Sequence, residues 1–221
     1  MGRSPASDKK VRRTGRLPTP AESRRIGALR PPSGSRGTRA DRGVCPTELA
    51  SLQSVRPAGH LPPIDGQPVR LEIRRGLADR RGEVHAGAFI RERRIAFDAE
   101  LAADPQEFAR IFVHEIFHFA WLRLGNARRW SYEALLREEM RARARGELGW
   151  SAEWRKRALA TGDPGRRTRR WREYVCESFC DTAAWIFSGV LAHREYTLAR
   201  RFCERRRQWF QESDVTNRIS I

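Results

Sequence analysis

His114-Glu115-Ile116-Phe117-His118 sets two imidazoles four residues apart with a carboxylate beside the first. On a helix, positions four apart share a face, so His114 and His118 can bind one Zn2+ ion at two of its four tetrahedral positions. Glu115 sits one position round the helix. A carboxylate there suits a general base that takes a proton from a water made more acidic by the metal. Chance is a poor account of the pattern. With 5 histidines in 221 residues, the number of accidental matches expected is on the order of 0.01.

The residues around the pattern are apolar: Ile111, Phe112, Val113, Ile116, Phe117, Phe119, Ala120, Trp121 and Leu122. A helix of this composition is buried on nearly all sides. A carboxylate inside it is costly unless compensated, and a cation held by the histidines would compensate it. A catalytic zinc needs a third protein ligand and one open position. A longer histidine motif is excluded, because Trp121 and Leu124 stand where its glycine and third histidine would be. Between Tyr174 and His193, in a chain that is 32% charged, only Glu177 and Asp181 carry formal charge. They lie four apart on a predicted helix. Glu177 is the expected third ligand, and Asp181 the expected partner of a ligating histidine's outer nitrogen. The same pair also fits the wet stripe of an amphipathic helix whose core face is Val175, Cys176, Phe179, Cys180, Ala183, Ile186 and Phe187.

A closed alternative uses the same histidines. His114, His118, Cys176 and Cys180 have spacings that could form a structural two-His, two-Cys zinc site with no open position. That arrangement leaves Glu115 without a task, and cysteines on an apolar helix face commonly act as small hydrophobes.

Several elements must position these groups. Residues 1–66 are rich in Pro, Gly, Ser and Arg, without a helical or strand period, and are expected to form a disordered basic tail with one short helix over residues 46–55. Residues 67–221 form the expected domain. Alternation predicts strands over residues 69–73, 84–90 and 95–97, joined as a small antiparallel sheet. Asp104, Pro105 and Glu107 then spell a helix start, with Asp104 as cap, and Gly125 ends that helix. Further helices are expected over residues 132–145, 152–160, 169–187 and 195–211, the second of these capped by Ser151. The fold class is α+β, a short sheet followed by helices.

His-Glu-x-x-His on one helix and Glu-x-x-x-Asp on a later one resemble the gluzincin metallopeptidases. The short sheet just before the first helix resembles the compact ImmA/IrrE-type minigluzincins, and the similarity spans about residues 69–189. The resemblance implies a zincin-like domain that hydrolyses peptide bonds with one Zn2+ ion, held by His114, His118 and Glu177. Glu115 would be the base and Asp181 the support. Ile95, Ala96, Phe97 and Asp98 would be the edge strand that takes an extended peptide substrate. The chain departs from the minigluzincins in an Arg- and Trp-rich insertion between His118 and Glu177, and in lacking an Ala-Asn pair after Glu177. A donor to the developing oxyanion is also expected, with His193, Tyr174 and Tyr132 as candidates.

Charge bears on partners. The chain holds 44 Lys and Arg against 27 Asp and Glu, a net charge of +17, and its lysines are only Lys9, Lys10 and Lys156. Such an excess attracts polyanions without selectivity for sequence. Arg and Trp interleaved over residues 166–172 could contact phosphates and stack on bases, a nucleic-acid-binding alternative to catalysis. A membrane partner is not expected, since no apolar run is long enough to span a bilayer. Four unevenly spaced cysteines are no disulfide framework, which points to a reducing, cytoplasmic setting.

Overall fold

Residues 61–79 and 82–221 are described by the structure, a computed structural model. Most of the expected disordered tail and its short helix over residues 46–55 therefore lie outside the described residues. The residues just before Gly66 belong to the folded body: Leu61 packs on the core, and strand β1 (Ile64–Asp65) pairs in parallel with the last strand, β7 (Ile219–Ser220). Gly66 turns at a φ of +130°, a left-handed conformation that favours glycine, and a Cβ there would overlap the Ile221 carbonyl.

Three strands make the main sheet, in the order β2 (Arg70–Arg74), β6 (Arg94–Asp98), β5 (Ala86–Phe89). β5 and β6 are antiparallel, joined through a turn in which Arg93 adopts a left-handed φ of 46°. β2 runs parallel to β6, so the sheet is mixed and not purely antiparallel as alternation suggested. A smaller hairpin, β3 (Ala78–Asp79) with β4 (Gly82–Glu83), lies between β2 and β5 in sequence. All five residues of β6 are buried. Ile95 and Phe97 join the helical core on one face, while Ala96 packs with Leu77 and Val84 on the other. This is the period of two expected of a strand covered on both sides.

Helix α1 (Pro105–Arg123) follows, and its start agrees with the local sequence: the Asp104 carboxylate accepts hydrogen bonds from the backbone N–H groups of Gln106 and Glu107 at 3.1 and 3.0 Å. After α2 (Asn126–Arg141) come the short helices α3 (Trp150–Arg157) and α4 (Asp163–Arg166), then α5 (Arg169–Phe187) and α6 (Arg200–Glu212). The architecture is α+β, with six helices against small sheets among the described residues. Among the described residues, no helix is long and apolar enough to cross a membrane.

α1 and α5 each have 19 residues and pack side by side across the centre. Phe117 of α1, Phe179 and Phe187 of α5 and Phe210 of α6 meet there, with ring centroids 5.0–6.4 Å apart. Offset and tilted aromatic pairs of this kind add to the apolar area they bury. Beside them lies a buried ionic network. Arg206 of α6, with no exposed surface, reaches Glu139 at 2.6 Å and Glu147 at 2.7 Å. Lys156 and the Tyr174 hydroxyl complete Glu147 at 2.9 and 2.7 Å.

Candidate metal centre

The packing of α1 on α5 brings four residues of the two sequence motifs together. His114 and His118, both buried, turn their Nε2 atoms toward one point, 3.2 Å apart. From α5, Glu177 Oε2 approaches the same point, 3.3 Å from His114 Nε2 and 4.0 Å from His118 Nε2. A tetrahedral cation bonded to such atoms at about 2.0–2.2 Å would hold them about 3.3 Å apart. One turn after Glu177, Asp181 Oδ1 stands 2.7 Å from His114 Nδ1, on the outer side of that ring. This hydrogen bond makes Nδ1 the protonated nitrogen and leaves Nε2 with a free lone pair.

Cysteines occupy the outer side of the other ring. Cys176 Sγ and Cys180 Sγ lie 3.6 and 3.5 Å from His118 Nδ1. Ligand atoms of His114, His118 and Cys180 fall within 4.8 Å of one another, a buried cluster able to hold a metal ion.

Glu115 completes the site. Its side chain has no exposed surface, and its carboxylate meets no side-chain hydrogen-bond partner, only the backbone of Ala88 on β5. Burial of a carboxylate without a partner costs on the order of 1–3 kcal/mol or more. Burial accordingly raises the Glu115 pKa, only partly opposed by His118 and His114. Glu177 goes the other way: burial would raise it, but Arg155, then His114 and His118, hold it well below the ordinary carboxylate range. Burial lowers the His114 imidazole, yet Asp181 and Glu177 overcome this and raise it well above its usual value. In charge terms, Glu115, Glu177 and Asp181 bring three negative charges and Arg155, 2.9 Å from Glu177 Oε1, returns one positive. The donor set and the buried Glu115 beside it fit a bound metal.

Sequence reasoning missed the contribution of α3. Ser151, read as a helix cap, does not cap: the N-cap is Gly149, without a side-chain bond, and the Ser151 hydroxyl donates instead to Glu177 Oε2. Arg155, one turn later, binds Glu177 Oε1 and the Ser151 carbonyl. The Ala152 N–H donates to Asp181 Oδ2 at 2.9 Å. Serine and arginine are common polar types in this chain, so nothing in their spacing marks them.

Other expectations require correction. Ile95, Ala96, Phe97 and Asp98 lie on β6, which is the central strand, paired on both sides, so they cannot form a substrate edge. Among the described residues the edges are β2 and β5, and β5 packs against α1. The three donor candidates are engaged elsewhere. The Tyr132 hydroxyl donates to the Ser178 carbonyl at 3.1 Å and meets Thr182 at 3.0 Å. Tyr174 serves Glu147. His193 Nε2 lies 3.2 Å from Glu107 Oε2, two turns before His114 on α1. Glu107, His193 and Glu195 also gather possible ligand atoms, but Arg110 reaches both carboxylates, at 2.6 and 3.2 Å, and already supplies the cation there. Finally, Trp171 of the Arg-Trp stretch has no exposed surface and donates to Glu133, so it is not available to stack on a base.

No family model, curated protein or solved structure matches the chain.

Proposed function

We propose that this protein is a zinc-dependent metallopeptidase of the gluzincin kind, with His114, His118 and Glu177 as ligands and Glu115 as general base. The observation that carries the reading is the convergence of two Nε2 atoms and one carboxylate oxygen beside a buried glutamate that has no side-chain partner. Zinc, when bound, would supply Lewis acidity, polarising a peptide carbonyl and making a water easier to deprotonate.

The chain's own residues do the rest. Asp181 fixes the tautomer and orientation of His114, which keeps its Nε2 lone pair aimed at the centre. Arg155 holds the Glu177 carboxylate through Oε1 and Ser151 donates to the ligand oxygen Oε2 itself, so that oxygen is placed before any metal arrives. Glu115 accepts the proton of the attacking water and returns it to the departing amine. Its burial raises its proton affinity above that of an ordinary carboxylate. The unpaired edge of β5 supplies main-chain groups for an extended peptide.

A closed site using the cysteines is the second reading, favoured by the proximity of Cys180 to both histidines. The sulfurs, however, face the outer nitrogen of His118, and the Nε2 atoms face Glu177.

The test is paired metal analysis and peptide hydrolysis on wild type, Glu115→Gln, Glu177→Gln and Cys180→Ser. A mixture of unstructured peptides serves as substrate. Expected are about one zinc per chain in wild type and Glu115→Gln, and a loss of about 10²–10⁴ in rate for Glu115→Gln. Zinc should be weakened in Glu177→Gln and retained in Cys180→Ser. A wild type without zinc, or a Glu115→Gln variant as active as wild type, overturns the proposal. Zinc lost only with Cys180→Ser favours the closed site.

A further inference from the structure

The two ligating rings are supported differently, and the difference points to a second binding position. Structural and catalytic histidine ligands usually donate their outer N–H to a carboxylate or a carbonyl. His114 follows this, with Asp181. His118 has two sulfurs instead, Cys176 Sγ at 3.6 Å and Cys180 Sγ at 3.5 Å, both on Nδ1. One N–H can be donated fully to only one of them, and a hydrogen bond between Cys180 and Cys176 joins the two sulfurs without accounting for their equal reach to Nδ1.

Coordination accounts for that reach. A tetrahedral cation with nitrogen at about 2.0–2.1 Å and sulfur at about 2.3 Å separates the two donor atoms by about 3.5–3.6 Å. Cys176 and Cys180 stand four apart on α5 and so share a face, the same device that pairs His114 and His118 on α1. Both cysteines are free thiols. Cys176 is half-buried, and Cys180 is buried.

We infer that His118 Nδ1, Cys176 Sγ and Cys180 Sγ form a separate site for a thiophilic d10 cation, on the side of His118 opposite Glu177. Two thiolates and one imidazole select such ions over hard ones. Binding displaces the thiol protons and the Nδ1 proton, so the His118 ring bridges two centres when both are filled. This site stands on its own geometry and does not require the Nε2 side to be catalytic.

The experiment uses the metal-free full chain titrated with Cd2+, followed by thiolate-to-cadmium charge-transfer absorption in the ultraviolet. Wild type should show that absorption, saturating at about one sulfur-bound ion per chain. Glu177→Gln and His114→Ala should keep it, because they touch only the Nε2 side. The Cys176→Ala/Cys180→Ala double variant should lose it while still binding zinc through His114, His118 and Glu177. If the double variant does not fold, the single Cys176→Ala at the half-buried position should lower the absorption substantially. No absorption in wild type, or absorption that persists without Cys176 and Cys180, overturns the inference. Absorption lost in His114→Ala overturns it too, because the sulfurs would then belong to a shared His114-His118 site. Failure of zinc binding in wild type with the cadmium signal intact would instead count against the metallopeptidase reading alone.

Discussion

Two buried ionic clusters draw on the same helix, α5, and they are finished to different degrees. Around Arg206, every partner is present: Glu139 is met by the guanidinium from Nε and Nη2, and Glu147 by Arg206, Lys156 and Tyr174. Around His114, Asp181 and Glu177 are bound, but Glu115 has no side-chain partner and only the Ala88 backbone beside it. Burial is equal, with Arg206, Glu147 and Glu115 all fully covered. A network that closes on itself holds helices together. One left short of a cation has a place for something the chain does not contain.

The sharpest way to break this comparison is Arg206→Met, which leaves Glu139 buried without its cation and Glu147 with Lys156 and Tyr174 alone. It should cost about 3–5 kcal/mol in urea unfolding; a loss no larger than that of a surface substitution would remove the network from the list of supports.

Acid should act on the same cluster. Burial pushes Glu147 up, but Arg206 and Lys156 bring it down from 4.5 to about 2. A folded value below the unfolded one stabilises at pH above the unfolded value, and that stabilisation drains as pH falls from 4.5 toward about 2. Thermal melts of wild type across this window should register a decline on the order of 3 kcal/mol. The same melts of Arg206→Met should be much flatter.

At the other cluster, Asp181→Asn should weaken zinc about 10–100-fold in competition with a chelator while leaving the fold intact. Unchanged affinity would mean that the contact with His114 does not tune the metal. The smallest effect has the opposite sign. In the metal-free protein, Glu115→Gln removes an unpaired buried charge and should stabilise by about 1 kcal/mol. A destabilisation of that size in calorimetry would reveal a partner for Glu115 and erase the contrast between the clusters.

What was legible in the sequence follows from where the information resides. The α1 cap at Asp104, the buried histidine helix and the charge-poor stretch around Glu177 and Asp181 are local patterns, and each appears where periodicity placed it. The central position of β6 is not local. It depends on β2 joining in parallel from the other side, a pairing that alternation within either strand does not encode. The burial of Trp171 follows from the face of α5 that meets the core, and Arg neighbours on the wet face disguise it. Ser151 and Arg155 were invisible for a further reason: their role comes from where α3 lies in space, not from their types.

That placement of α3 leaves a mark of its own. Gly149 has an extended backbone, φ −175°, open to any residue, yet a Cβ would overlap the Asp181 carboxylate. The demand for glycine is spatial. As a pattern for finding kindred chains, a glycine just ahead of the serine that binds the glutamate should therefore discriminate better than the length of chain between the two motifs. Connecting loops can lengthen or shorten freely, whereas a backbone pressed against the buried Asp181 carboxylate cannot drift.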